Sequence, residues 1–397
     1  MAGSPPICDL CGGGRFDSLI DLSGSTSSAP PTSLRSDGVI VGRPLVKIAC
    51  SRCGLVRSGD APDAETTAAE YRLEYGTSRE EHQFYTANGP VARSAAIAEW
   101  IAAHVPAGAW ETAGLGLEVG AGAGFLVREL QRRHPRKTFV GVEPNAAAAE
   151  AGRRAGSDIR AGLQDLRTCA DLAWAVAVIE HVTSPAAFLT TIRRALQDDG
   201  LLVLVQPTAD VASYDVLFVD HLHQFSGAHL RAYAAKTGFE EVAAAIGHPL
   251  MPNFSLHVWR AAAPQPAWSW EAPPAPSHAK TSAIQTMNAM TRLEETLDGL
   301  RRQGRRVAAF GVREVYSLAR AYSGIDAFPI VCGLDDDPAR MTARGLPFPV
   351  VRPEDAHVFG VTDVVLTMNA VHYAVARLRC RSLGLACHAV LDEGSPS

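Results

Sequence analysis

The sequence predicts an α/β protein whose central domain contains a parallel β-sheet, with a small cysteine-rich module before it and a second α/β domain after it. Three observations support this fold class. Strand-like apolar runs alternate with helical patterns between residues 66 and 262, which is typical of βαβ units. Two pairs of closely spaced cysteines precede that region. A proline-rich stretch separates it from a second alternating pattern.

Composition and charge narrow the function classes. The apolar fraction of 47% and the charged fraction of 20% are ordinary for a soluble globular protein. A net charge of -5 offers no basic surface for nucleic acid or an anionic membrane. No run reaches the ~18 apolar residues that a membrane helix needs, and the start lacks the features of a signal peptide. We therefore expect a cytoplasmic protein with a small-molecule substrate and with neither nucleic acid nor membrane as partner.

Changes in composition divide the 397 residues into three predicted domains, each long enough to bury a core. Residues 1–65 are rich in Gly, Ser, Pro and Cys, and residues 66–262 carry the central α/β pattern. Residues 263–397 follow a predicted linker at 261–280, the densest proline stretch of the chain. This last domain should begin with a helix over 281–300, because its apolar residues recur at helical spacing.

The four N-terminal cysteines form two C-x-x-C-G knuckles, Cys8 with Cys11 and Cys50 with Cys53. Each knuckle directs two thiolates to one point, so the two together complete a tetrahedral four-sulfur set for Zn²⁺. The alternatives are a redox pair and chance spacing. Four thiolates leave no open position on the metal, so the predicted zinc is structural. The other cysteines lie in apolar contexts and are expected in the core: Cys169, Cys332, Cys380 and Cys387.

A glycine-rich loop at 117–125 follows an apolar strand and precedes a helical run. Its residues Gly120, Gly122 and Gly124 allow a tight turn and close approach of the backbone to a ligand at a helix N-terminus. The spacing is G-x-G-x-G with Glu118 two residues before the first glycine, whereas dinucleotide folds use G-x-G-x-x-G. Dinucleotide binding is the alternative interpretation of this loop.

Two further strand ends extend this pattern. The run 139–145 ends a second strand in Glu143 and Pro144, and a carboxylate there can accept both hydroxyls of a ribose. The run 172–182 ends in Glu180-His181. The set resembles the class I methyltransferases that use S-adenosylmethionine (SAM). The resemblance implies a Rossmann-like fold and places Glu180 and His181 at the sheet edge beside the cofactor. It implies that SAM is held by Glu118, Gly120, Gly122, Gly124, Glu143 and Pro144.

A loop after the next strand carries Asp220, His221 and His223 within four residues. In parallel α/β sheets ligands bind beyond the carboxyl ends of the strands, so this loop should face the substrate. An imidazole beside a carboxylate can serve as a general base. The alternatives are a solvated loop and a chance metal-like triplet.

The order of zinc knuckles, SAM domain, histidine loop and C-terminal α/β domain is similar to the three-domain C-methyltransferases of deoxysugar biosynthesis. Those enzymes act on nucleotide-activated 4-keto sugars, and their loop Y-H-E-H-L-S-Y-F-S matches residues 218–226. The resemblance implies His221 as the general base and Asp220 as its neighbouring carboxylate. Tyr85 and His223 are candidates to donate hydrogen bonds to the developing oxyanion. In the last domain Arg313, near a turn with the lone Gly311, is a candidate to bind a diphosphate, the alternative being a purely structural lid.

Three departures from that family leave the acceptor open. Phe218 stands in place of the loop tyrosine, and residues 248–255 replace a glycine-rich segment. The tyrosine expected before the SAM domain is matched to Tyr85, with Tyr71 and Tyr75 as competitors. We expect SAM-dependent C-methylation next to the ketone of a nucleotide sugar. The alternatives are O- or N-methylation of another metabolite at the same SAM site, and a non-catalytic zinc-finger protein, which the acidic charge disfavours.

Overall fold

The computed structural model describes residues 7–23, 32–73, 81–86, 88–166, 169–265, 278–338 and 346–391. The strands are β1 (Phe16–Asp21), β2 (Ser33–Leu34), β3 (Ile40–Val41), β4 (Val46–Cys50), β5 (Val56–Ser58), β6 (Gln83–Thr86), β7 (Gly89–Ala92), β8 (Leu115–Val119), β9 (Thr138–Val142), β10 (Asp158–Arg160), β11 (Ala170–Val176), β12 (Leu196–Pro207), β13 (His223–Gln224), β14 (Phe239–His248), β15 (Met251–Ala261), β16 (Val307–Phe310), β17 (Cys332–Leu334), β18 (Val350–Val351), β19 (Asp363–Leu366) and β20 (Ala386–Ala389). The α-helices are α1 (Ala64–Leu73), α2 (Arg93–His104), α3 (Ala107–Thr112), α4 (Phe125–Arg133), α5 (Ala146–Arg154), α6 (Pro185–Ala195), α7 (Gly227–Thr237), α8 (Ala279–Arg302), α9 (Glu314–Tyr322) and α10 (Tyr373–Ser382).

The central sheet has seven strands in the order β10-β9-β8-β11-β12-β15-β14. The first five strands in this order, β10, β9, β8, β11 and β12, pair in parallel. The predicted parallel sheet is therefore confirmed for these five strands. The prediction was incomplete at one edge, where β15 lies antiparallel to both β12 and β14. The reason is the short turn between His248 and Met251. A turn that short joins only antiparallel strands.

Both faces of the central sheet are buried. On β12, Leu202 and Leu204 pack into one apolar cluster, while Leu201 and Val203 pack into another. Side chains alternate across a strand, so these two clusters occupy the two faces of the sheet. Helices cover both faces in such folds, which explains the near-continuous apolar runs of the sequence. The functional groups are therefore confined to the strand ends and the loops that follow them.

The N-terminal sheet is antiparallel, with the order β1-β4-β5-β13. Its fourth strand comes from the histidine loop of the central region, since His223 pairs with Arg57 and Gln224 with Val56. The amide of Ser58 also donates to the carbonyl of Leu222 at 2.9 Å. The cysteine-rich module and the loop predicted to carry the base thus share one sheet.

Lys47 on β4 is fully buried and anchors that loop. Its ammonium donates to the carbonyls of Phe218 at 3.0 Å and His221 at 2.6 Å, and to the hydroxyl of Ser58 at 3.0 Å. An ammonium has three donors, so all of them are used. Burial lowers the pKa of Lys47 to about 7.

The C-terminal sheet is parallel, with the order β18-β17-β16-β19-β20, and confirms the predicted second α/β region. The helix predicted over 281–300 is α8, and α9 follows the turn after β16. Of the predicted linker 261–280, residues 266–277 lie outside the described residues. One apolar cluster joins this region to Leu34, Leu45 and residues 214–219.

The remaining cysteines test the predicted core. Cys332 and Cys380 are buried as expected, and Cys387 is half-buried. Cys169 is exposed, so its assignment to the core was wrong. It precedes β11 by one residue and therefore lies at the surface end of the strand rather than within it. Within the described ranges, no helix combines the length and the apolar character needed to cross a membrane.

We predict that Lys47→Met lowers the free energy of unfolding by about 1–3 kcal/mol, because two buried carbonyls lose their donor. Urea unfolding at pH 7 measures this change. Lys280→Met, on the exposed face of α8, is the matched control and should leave the stability unchanged. Equal stability of the two variants would show that the anchor contributes nothing to the fold.

Candidate active site

The glycine loop makes a tight turn between β8 and α4. Gly120, Gly122 and Gly124 have φ angles of 79°, 52° and 69°, which favour glycine. A Cβ at Gly120 would lie 2.5 Å from a methyl of Val178, and one at Gly124 would lie 2.7 Å from the hydroxyl of Ser157. A Cβ at Gly122 would meet no heavy atom within 4 Å. The loop is therefore packed at both ends and open in the middle, where a ligand can approach its backbone.

Glu143 closes the other side of this opening. Its carboxylate accepts hydrogen bonds from the amide of Gly122 at 2.8 Å and the amide of Asn145 at 2.7 Å. A carboxylate has about four acceptor positions, so two remain for a ligand. Burial raises the pKa of Glu143. Pro144, beside it, is exposed.

Glu118 lies inside the strand that leads into the loop. It is buried, and its Oε2 has no hydrogen-bond partner among the described residues. Burial raises the pKa of Glu118 to about 8. The glycine loop and Glu143 are thus joined by a hydrogen bond, and both Glu118 and Glu143 have acceptor capacity left unused.

A cavity of about 580 Å³ lies beyond the carboxyl ends of the central strands. It is bounded by the tip of the β2–β3 hairpin, the central region and the C-terminal region. The side chains that bear on its chemistry are Ser36, Asp37, Tyr85, Glu180, His181, His221, Arg313 and Asp335. Of the predicted catalytic residues, Tyr85 and His221 line it, whereas Asp220 and His223 are not part of its lining.

His221 lies in the cavity wall and is buried. Its Nδ1 has no hydrogen-bond partner in the described part of the chain. The ring makes edge contacts with His181 and Phe218, at centroid distances of 4.8 Å and 5.0 Å. Burial holds the pKa of His221 well below the usual histidine value, so the imidazole is neutral at physiological pH. A neutral imidazole is the form that accepts a proton.

Asp220 points away from His221. Its carboxylate accepts hydrogen bonds from the amide of Ser36 at 2.8 Å and from the Ser36 hydroxyl at 2.7 Å. Nδ1 of His181 lies 3.6 Å from Oδ2 of Asp220 and 2.9 Å from its main-chain oxygen. The expected pairing of Asp220 with His221 is absent from the described contacts. The hydrogen bonds from Ser36 therefore hold the Asp220 carboxylate on the β2–β3 hairpin.

The structure separates His223 from the cavity. Its ring stacks on Phe225 with a centroid distance of 5.7 Å, and its backbone belongs to the N-terminal sheet. Burial lowers the pKa of His223 to about 3. Tyr85, by contrast, is half-buried in the cavity wall, and burial raises the pKa of its hydroxyl.

Tyr71 and Tyr75 are the alternatives to Tyr85 as the tyrosine expected before the SAM domain. Tyr71 places its ring 5.4 Å from that of His181, edge to face. Tyr75 lies outside the described residues.

The sequence did not indicate that Glu180 and His181 lie beside His221. Both were placed at the sheet edge beside the cofactor, and both line the cavity next to His221. Their position directly after a buried strand was the available signal, because strand carboxyl ends carry the ligand sites in such sheets. A carboxyl group and an imidazole at such a position are a signal of the same kind as the histidine loop.

The four N-terminal cysteines converge as predicted. The Sγ atoms of Cys8 and Cys53 are 3.6 Å apart, those of Cys11 and Cys50 are 3.5 Å apart, and all four lie within 4.8 Å of one another. Ligands ~2.3 Å from a tetrahedral metal would have similar separations. The spacing and the chemistry of this donor set therefore fit Zn²⁺.

Comparison with known proteins identifies the central region. Residues 93–244 match the family described as "Methyltransferase domain". A search of curated proteins finds no match. Together with the strand order, the family match confirms the predicted class I, Rossmann-like fold, and the chain carries a SAM-dependent methyltransferase domain.

Three solved structures illustrate the similarity. The mitomycin 7-O-methyltransferase MmcR is 18% identical, with 41% of this chain and 52% of that chain covered and a TM-score of 0.36. The O-methyltransferase NcsB1 from neocarzinostatin biosynthesis is 20% identical, with 42% and 56% covered and a TM-score of 0.34. A SAM-dependent methyltransferase from Thermotoga maritima is 23% identical, with 37% and 81% covered and a TM-score of 0.31. The chain spans about half the length of the first two.

Proposed function

We propose that this protein is a SAM-dependent C-methyltransferase that acts next to the ketone of a nucleotide-activated keto sugar, with His221 as the general base. The observation that carries the proposal is the neutral imidazole of His221 in the wall of a cavity of about 580 Å³, with no hydrogen-bond partner for its Nδ1 among the described residues. A base placed in this way can remove a proton from a bound substrate.

The glycine loop and Glu143 are the groups that would hold SAM. The open space at Gly122 admits the ligand, and the spare acceptor positions of Glu143 suit the ribose hydroxyls. When bound, SAM supplies an electrophilic methyl group. Gly120 packs on Val178, two residues before Glu180, so the cofactor loop directly adjoins the cavity wall. Cofactor and acceptor would thus meet at the end of β11.

The residues around His221 hold the base in place. Lys47 fixes the His221 carbonyl, and Asp220 ties the loop to Ser36 and His181. His221 would take the proton from the carbon next to the ketone, and the electron pair would pass to the carbonyl oxygen. Fixing the reacting groups in this way lowers the entropic part of the barrier.

The position of Arg313 supports the proposal that the acceptor carries a phosphate group. Its Nη2 is buried without a hydrogen bond among the described residues, and the nearest carboxylate oxygen, from Asp335, is 3.6 Å away. A guanidinium with an unused donor that faces a cavity suits a diphosphate.

The same His221 could instead deprotonate a hydroxyl or an amine, so O- or N-methylation is the rival at this site. Only C-methylation requires exchange of a carbon-bound proton with solvent.

We also propose that Cys8, Cys11, Cys50 and Cys53 bind one structural Zn²⁺. The module they build is tied to the central region, since the carbonyl of Cys53 contacts Nε2 of His229 at 2.9 Å. Purified protein should contain about one zinc per chain, and Cys53→Ser should lose it and destabilise the module. Elemental analysis measures the metal, and Cys169→Ser, at the exposed cysteine, is the matched control. Zinc-free wild-type protein would refute this assignment.

Glu143→Ala should weaken SAM binding by about 1–3 kcal/mol, because the ribose hydroxyls and the Gly122 amide lose their acceptor. Isothermal titration calorimetry with SAM measures the change. Glu150→Ala, on the exposed face of α5, should bind SAM normally. Unchanged affinity in the Glu143 variant would move the ribose contact elsewhere.

His221→Asn should keep SAM affinity and reduce turnover by about 10²–10⁴, mostly in kcat, because the proton moves only in the transition state. Since burial lowers the pKa of His221, the acidic limb of the wild-type kcat profile should lie well below pH 6.5. His223→Asn should keep its turnover, as that ring lies outside the cavity lining. Assays of both variants on one keto sugar decide the matter. Normal turnover by the His221 variant with a loss in the His223 variant would transfer the role.

A further inference from the structure

Glu180 is a buried carboxyl group in the wall of the cavity that His221 also lines. It lies in the short helical turn Ile179–His181 directly after β11, is 2% exposed and lines the cavity. Neither of its carboxylate oxygens has a hydrogen-bond partner in the described part of the chain. Leaving such a group unsatisfied is costly, so a hydrogen-bond partner supplied by a bound substrate would stabilise it.

The neighbouring groups place Glu180 beside the base. One nitrogen or oxygen from each of Glu180, His181 and His221 lies within 4.8 Å of the other two. Oε1 of Glu180 is 4.0 Å from Nε2 of His181. An α-hydrogen and its carbonyl oxygen belong to one short H–C–C=O unit. A base and an acid this close can therefore engage both ends of that unit at once.

We propose that Glu180, in its carboxylic acid form, donates a hydrogen bond to the substrate carbonyl oxygen and stabilises the enolate that forms there. This role rests on the proposed C-methylation. The proton of Glu180 stays on the carboxyl group while the carbon-bound proton moves to His221. Donors aimed at a developing oxyanion are among the largest contributions to catalysis.

The environment of Glu180 supports the acid form. Burial raises its pKa to about 7, and the charged or titratable groups that face it are His181, His221, Asp215 and Arg93. His181 and Arg93 favour the carboxylate, Asp215 favours the acid, and the loss of solvation is the largest effect. Carboxylic acids kept neutral by an apolar site act as oxyanion donors in other enzymes.

The chemistry also requires such a donor. Burial makes His221 a weak base, and a carbon next to a ketone is a weak acid. Stabilisation of the oxyanion must offset that mismatch. Of the two donors expected from the sequence, His223 lies outside the cavity lining and Tyr85 lies in it, as Glu180 does.

The test compares Glu180→Ala with Glu180→Gln. The readout is exchange of the substrate α-hydrogen with solvent deuterium in the presence of S-adenosylhomocysteine, with a dTDP-linked 4-keto-6-deoxysugar as the probe. Glu180→Ala should slow exchange by about 10²–10³, the usual effect of losing one oxyanion donor. Glu180→Gln should stay within about tenfold of wild type, because an amide N–H still donates. Glu240→Gln, exposed on β14, is the control.

The pH profile separates a donor from a merely structural role. The acid form of Glu180 is present below its pKa of about 7 and is lost above it, so wild-type exchange should fall as the pH rises through 7. The Gln variant does not titrate and should not show this fall. Calorimetric binding of S-adenosylhomocysteine should match wild type in both variants, which also shows that they fold.

Several outcomes would overturn this role. Equally slow exchange in the Gln and Ala variants would make Glu180 a base. Normal exchange in the Ala variant would remove it from the chemistry. A second divalent metal per chain that disappears in Glu180→Ala would make it a metal ligand. Absence of exchange by the wild-type protein would instead refute the proposed C-methylation, and this role with it.

Discussion

The buried ammonium of Lys47 holds the candidate active site together. It joins a strand of the cysteine-rich module to the two carbonyls that bracket the loop before His221. A second polar contact secures the same loop from the other side, where the hydroxyl of Tyr322 on α9 donates to the carbonyl of Leu217 at 2.6 Å. The loop before His221 is thus held by residues from the N-terminal and C-terminal regions. Such polar anchors have one geometry, whereas apolar packing alone would tolerate several.

The cavity combines groups whose charges burial suppresses. Burial favours the neutral imidazole of His221 and the acid form of Glu180. Charge is concentrated farther along, where Arg313 faces Asp335. The cavity wall therefore combines buried titratable groups with an arginine–carboxylate pair.

The sequence predicted the secondary-structure elements well, but it did not predict the contacts between residues that are distant along the chain. Glycine spacing and strand ends singled out Gly122 and Glu143, which a hydrogen bond joins in the structure, because both lie in a single βαβ pattern. It could not show that Asp220 turns to Ser36, since that contact joins positions 184 residues apart. Nor could it show that His223 belongs to another sheet, because a two-residue strand has no periodicity to detect. Local patterns predict local structure, whereas the cavity is lined by residues from the β2–β3 hairpin, the central region and the C-terminal region.

The shared N-terminal sheet has a consequence for the growing chain. During synthesis β1, β4 and β5 emerge long before β13, so β5 waits as an open edge with unpaired amides and carbonyls. Unpaired edges invite pairing with other chains. At ribosomal rates of roughly 5–20 residues per second, that exposure lasts on the order of ten seconds or more. Arg57, a charged residue in the middle of the three-residue β5, is the kind of side chain that protects such an edge until its own partner arrives.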